Sequence, residues 1–196
     1  GHVLIEADYV GAELFGMAIM SGDENMIDHA MRNQLPEDHA DFYDIHSNVA
    51  CFAFRLDCAP TKSGLAAIGK KHIRIVAKSV IFGIAYGRGA KAIAVAAKEQ
   101  GIDVSVEDAQ AVIDAIFQMY PMLQPFFQEC QERATGKYLD PETGQPLGAN
   151  YLCNCYGRFR RFPDSGGDNS LAAEFERQAM NFPIQSMIAS AVSRAI

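Results

Sequence analysis

Four side chains placed four residues apart, Arg74, Lys78, Phe82 and Tyr86, could do chemistry together. At about 100° per residue, each step of four drifts by only about 40°. On one helix they would form a gently winding stripe about 18 Å long. Two cations, an aromatic ring and a phenol, in that order, suit a nucleoside triphosphate lying along the helix. The cations would face the phosphates and Phe82 the sugar and base. The plainer reading makes Phe82 and Tyr86 core residues and the cations solvated. A second nucleotide motif lies a few residues upstream, because Gly64 and Gly69-Lys70 have the spacing G-x-x-x-x-G-K. A phosphate loop of that kind needs a hydrophobic strand before it and Ser or Thr after the lysine. Here "CAPTKS" precedes the motif and Lys71 takes the hydroxyl position. The spacing therefore marks an ordinary loop leading into a helix, and a helical P-loop ATPase is excluded.

Charge supports a polyanion partner locally but not globally. The 196 residues carry a net charge of −7. Residues 62–98 nevertheless hold eight bases and no acid, while residues 1–60 hold eleven acids and two bases. A basic block inside an acidic chain is the footprint of a polyanion site or a solvated basic helix face. Five cysteines lack framework spacing and read as free thiols in a reducing, intracellular compartment. Cys153-x-Cys155 could seed a metal site. With no second pair following, it reads instead as two small residues on one face of a strand. No histidine pair has zinc-site spacing, and no apolar run is long enough to span a membrane. With 49% apolar residues the chain can bury a core of one domain or two small ones.

The elements that must position the stripe follow from periodicity and punctuation. Residues 3–8 (VLIEAD) read as a short buried strand ending in an acid. Helices are predicted in "AELFGMAIMSGD", in "DENMIDHAMR" with acids at its start, and in "DIHSNVACFAFRL". Pro60, Ser63 and Gly64 mark a loop before a helix from about Ile73 to Tyr86 that stops at Gly87. "GAKAIAVAAKEQG" is a helix with Gly101 past its end. Ser105-x-x-Asp108 caps the next helix, and another fills Pro121 to Gly136. "ANYLCNCYGRFRRFP" reads as two short strands around Gly157. The last helical segment is interrupted at Pro183 and then resumes. The fold class is α+β and predominantly α-helical.

The stripe belongs to a longer pattern, R-x-x-x-K-x-x-x-F-G-x-x-Y-G, which Arg74, Lys78, Phe82, Gly83, Tyr86 and Gly87 complete. It resembles motif B of family A DNA polymerases, the DNA polymerase I-like group. Further segments agree in the family's order. "DYVGAELFGMAIMSGD" resembles motif A, and "DIH" at 44–46 resembles the D-I-H between motifs A and B. "GRFRRFPD" resembles the G-R-R-R-x-x-P-D hairpin, and "ERQAMNFPIQSMIAS" resembles the family's E-R-x-A-x-N-x-P-x-Q helix pair.

The resemblance implies fingers helices attached to part of an antiparallel palm sheet. Residues 1–60 would be a palm portion with motif A and the start of the fingers. Residues 61–136 would be the fingers with the motif B helix, and residues 137–196 a hairpin and helices returning to the palm. It implies addition of deoxynucleotides to a primer 3′ end by two-metal-ion transfer, with magnesium ions about 4 Å apart. Asp8 would be a catalytic carboxylate and metal ligand, joined by the Tyr9 carbonyl. Lys78 would act in catalysis and, with Arg74 and His46, bind the triphosphate. Phe82 would face the sugar, and a Phe there implies discrimination against dideoxynucleotides. Glu13 would be the steric gate against a 2′-hydroxyl, hydrogen-bonded to Tyr86. Arg158 and Arg160 would contact primer–template DNA, and Asn181 and Gln185 would lie near the primer terminus.

Departures from the pattern describe a divergent member, with a viral origin suggested. Val10, Gly11, Ala12 and Phe15 replace common motif A residues, Ser186 replaces a Gly, and the stretch from His46 to Arg74 is long. The family's third motif, His-Asp-Glu, with the second metal-binding aspartate, is expected shortly after Ile196. On that expectation the isolated chain adds nucleotides negligibly and needs the C-terminal palm segment of the same enzyme as partner. The alternative is a non-catalytic nucleic-acid-binding module, a decayed polymerase or half of a split one.

Overall fold

The structure is a computed structural model that describes residues 11–99, 101–146 and 150–195. Among the described residues the order is α1 (Ala12–Ser21), α2 (Glu24–Arg32), α3 (Ile45–Phe54), α4 (Lys62–Ala67), α5 (Lys71–Ala85), α6 (Ala90–Glu99), α7 (Val106–Met119), α8 (Leu123–Ala134), β1 (Tyr151–Cys153), β2 (Phe159–Arg161) and α9 (Asn169–Ala195). The expected fold class, mostly helix with a little antiparallel sheet, is the one observed. The strand expected at residues 3–8 lies outside the described residues.

Local chemistry starts several of these helices. Asp23, Asp44, Thr61 and Ser105 each accept a hydrogen bond from a backbone N–H two or three residues into the helix that follows. Packing then selects the arrangement. Met17 of α1, Val49 of α3, Val80 of α5 and Val112 of α7 meet in one core with Tyr120 and Leu123. Each such side chain stabilises the fold by about 1.5–3 kcal/mol on burial. A smaller cluster of Cys130, Ala134, Leu152, Phe162 and Ala179 fixes the sheet against α8 and α9. The two strands pair antiparallel, Tyr151 with Arg161 and Cys153 with Phe159.

Three expectations are corrected. Pro60, Ser63 and Gly64 do not form only a loop, because Thr61 caps the short helix α4 and the fully buried Leu65 anchors it. Pro183 does not interrupt the last helix. It lies fully buried inside a continuous α9, where packing against α1 and α8 offsets the lost backbone hydrogen bond. Cys155 does not share a strand face with Cys153, since β1 ends at Cys153 and Cys155 lies in the turn. Both are exposed and free, as expected of thiols outside a disulfide framework.

Candidate nucleotide site and nucleic-acid face

The stripe is built on α5, one face of which is apolar: Val76, Ala77, Val80, Ile81 and Ile84 are buried against α3 and α7. That burial leaves Lys78 and Tyr86 exposed and Phe82 partly so. Lys78 Nζ lies 5.7 Å from the Phe82 ring centroid, within cation–π range. Lys78, Phe82 and Tyr86 line a cleft of about 460 Å³ between α5 and α6, together with Arg88 from the following turn. The described residues offer Lys78 no ion-pair partner.

Arg74 is held differently. The stripe's drift of about 40° per step turns it toward the start of α3. There its Nε donates to Asp44 Oδ2 at 2.8 Å and its Nη2 to Asp44 Oδ1 at 3.1 Å. The Asp44 side chain is 4% exposed, against 24% for Arg74, so the acid is sealed while the guanidinium keeps an outward edge. The same carboxylate caps α3 by accepting from the Ser47 N–H at 3.2 Å and the Ser47 hydroxyl at 2.7 Å. Burial alone would push the Asp44 carboxyl up, but hydrogen bonds from Arg74 and Ser47 outweigh it and hold the group below its ordinary value. His46 stands beside this pair, with Nδ1 3.8 Å from Asp44 Oδ1. Burial, aided by the Arg74 charge, pushes its imidazole down to about 4 against the pull of Asp44. Its Nε2 is buried with no hydrogen-bond partner among the described residues.

Helix α9 closes the other end of the stripe. Asn181 Nδ2 donates to the Ala85 carbonyl at 3.2 Å, and Gln185 Nε2 donates to the Tyr86 hydroxyl at 3.4 Å. The expected Glu13–Tyr86 hydrogen bond is absent among the described residues; α9 supplies the Tyr86 partner instead, and Glu13 sits half-buried in the first turn of α1. Gly87 is the point of closest approach. Its φ is 68°, and a Cβ there would lie 3.0 Å from Arg177 Cα.

Arg158 and Arg160 lie exposed on the hairpin, some distance in sequence from α5. Arg160 donates to Gln178 Oε1 of α9 and stacks over Phe162 at 5.4 Å. The hairpin is fixed by buried Asn154. Its Oδ1 accepts from the Tyr156 and Arg158 N–H groups, and its Nδ2 donates to Ser186 Oγ at 3.0 Å. Ser186, a departure from the motif, thus has a role as the acceptor that ties the hairpin to α9.

Asp8 and Tyr9, the implied metal ligands, lie outside the described residues. Among the described residues, no three of His, Cys, Asp and Glu gather into a metal site. Sequence reasoning missed Asp44, Asn154 and Arg88. For Asp44 the signals were its place in the D-I-H at 44–46 and its position as an acid three residues before Ser47, and neither points to Arg74.

Comparison with known proteins gives the family of the chain. A family model described as DNA polymerase family A matches residues 1–196. The DNA polymerase of Escherichia phage T5 is 30% identical over 202 residues, covering 95% of this chain and 21% of the relative. The thermostable DNA polymerase I of Thermus filiformis is 30% identical over 197 residues, covering all of this chain and 20% of the relative. The chain thus spans about a fifth of the length of these relatives. The solved POL domain of Pol1 from M. smegmatis, in complex with DNA primer-template and dNTP, shares the fold with a TM-score of 0.58 at 23% identity. It covers 96% of this chain and 29% of its own. With the match running from the first residue to the last, the chain belongs to DNA polymerase family A.

Proposed function

We propose that this chain is the palm–fingers part of a DNA-templated DNA polymerase, with palm and fingers divided at residues 1–60, 61–136 and 137–196. One observation carries the reading. Lys78, Phe82 and Tyr86 share a cleft at the surface of a well-packed helix, and Arg74, four residues before Lys78 on the same helix, is fixed by Asp44. Phosphoryl transfer needs positioning and charge neutralisation more than covalent chemistry, and this arrangement supplies both. Lys78 is free to meet the phosphates of a deoxynucleoside triphosphate, and the outward edge of Arg74 holds the same group. Phe82 bears on the sugar, and Glu13 excludes a 2′-hydroxyl. Gln185 and Asn181 keep Tyr86 and the end of α5 in place beside the primer terminus. Arg158 and Arg160 take the DNA backbone, positioning it without reading sequence. Magnesium, when bound, would neutralise charge on the reacting phosphate; Asp8 and the Tyr9 carbonyl are the ligands this chain would offer it.

Primer extension by the full-length parent tests the reading. Lys78→Ala should slow addition by roughly a hundredfold or more, the scale of losing a charge-stabilising group in the transition state. Its melting temperature should hold, because the side chain is exposed. Extension within twofold of wild type would remove Lys78 from the site. A parent that binds primer–template but extends nothing would favour the non-catalytic binding module.

A further inference from the structure

The Asp44–Arg74 pair does more than close a helix. Thirty residues separate the partners, and both carboxylate oxygens are engaged from two sides, by α5 and by Ser47 of α3. A bidentate pair of this kind fixes the plane of a guanidinium as well as its position. The fixed guanidinium is one-sided. Nε and Nη2 point into the sealed carboxylate, which leaves Nη1 and one Nη2 proton for an outside acceptor. The neighbouring His46 has a buried Nε2 with no hydrogen-bond partner among the described residues in the same corner. An unpaired arginine on an exposed helix face would sample many rotamers and lose that freedom on binding.

We propose that Asp44 is a positioning residue for nucleotide recognition: it pre-orients Arg74 so that its free edge meets the triphosphate. Asp44 touches no substrate and acts through Arg74. Rigidity supplied before binding lowers the entropic cost of the phosphate contact. The inference rests on the polymerase reading above.

The test is steady-state primer extension by the full-length parent, with KM for the deoxynucleoside triphosphate read separately from kcat. Asp44→Asn is the informative variant. Asn caps helices about as well as Asp, so α3 keeps its N-terminus while the charged fork partner is lost. The expected result is a KM raised by roughly tenfold, the scale of one charge-assisted hydrogen bond, with kcat changed by less than about threefold. In an Arg74→Ala background, Asp44→Asn should add almost nothing, because the residue it acts through is gone. Ser47→Ala, which removes the hydroxyl bond to Asp44 but keeps the backbone cap bond and the ion pair, should leave KM within about twofold. An unchanged KM in Asp44→Asn overturns the inference. So does a KM effect that persists undiminished without Arg74, or one that Ser47→Ala reproduces, since each would make Asp44 a structural residue. A wild-type parent that extends no primer would instead overturn the polymerase reading itself.

Discussion

At the scale of single residues, the corner of Asp44, His46 and Arg74 makes a pH prediction. The folded protein holds His46 neutral with its pKa near 4, whereas an unfolded chain would protonate it near 6.5. Between those values the unfolded state binds the extra proton, so stability falls as pH drops from 6.5 toward 4 and levels off below. Half-buried His29, also shifted down by burial, acts in the same direction. The melting temperature of the parent should therefore fall between pH 7 and 4.5, and His46→Gln should remove part of that loss. The part expected of His46 is on the order of 2 kcal/mol at pH 4.5. If His46→Gln loses as much on acidification as wild type, the buried imidazole is not its source. The sequence named His46 and Arg74 from the motif. It could not show that Asp44 sits between them, because no local pattern links positions 44 and 74.

At the scale of elements, helix starts were legible and helix contacts were not. Asp23 is an acid at a helix start in the sequence. In the fold its second oxygen also accepts from the Met122 N–H at 3.0 Å, joining α2 to the start of α8. Gly87 reads as a helix stop, yet the need for glycine there comes from α9 lying against it. Gly87→Ala should cost about 1–3 kcal/mol, combining left-handed strain with a backbone clash. Gly89→Ala, two residues on, meets nothing within 4 Å and should change stability by less than about 0.5 kcal/mol. Thermal unfolding of both variants checks this, and equal effects would mean that the α5–α9 contact does not constrain position 87. Helix α4 escaped the sequence reading because its Pro, Ser and Gly punctuation is that of a loop. The burial of Leu65, a tertiary fact, holds it as a helix.

At the scale of the whole molecule, a chain of net charge −7 offers a polyanion only local footholds. The hairpin is one of them, since Arg158, Arg160 and Arg161 project from it and its two strands contain no acid. Alanine at Arg158 and Arg160 together should weaken primer–template binding by the parent on all sequences alike. It should also reduce the slope of log affinity against log salt by about 2. An unchanged slope would place the hairpin off the DNA. By itself the sequence determined the helical periodicity, the caps, the basic block and the ordered motifs that mark the family. Those signals are carried within a few residues of one another, where backbone geometry alone relates them. Only the tertiary structure decided that Arg74 is oriented by Asp44, that Tyr86 meets Gln185, that Ser186 anchors the hairpin through Asn154, and that Pro183 stays inside a helix. These contacts join distant parts of the chain, and burial of the shared core brings them together.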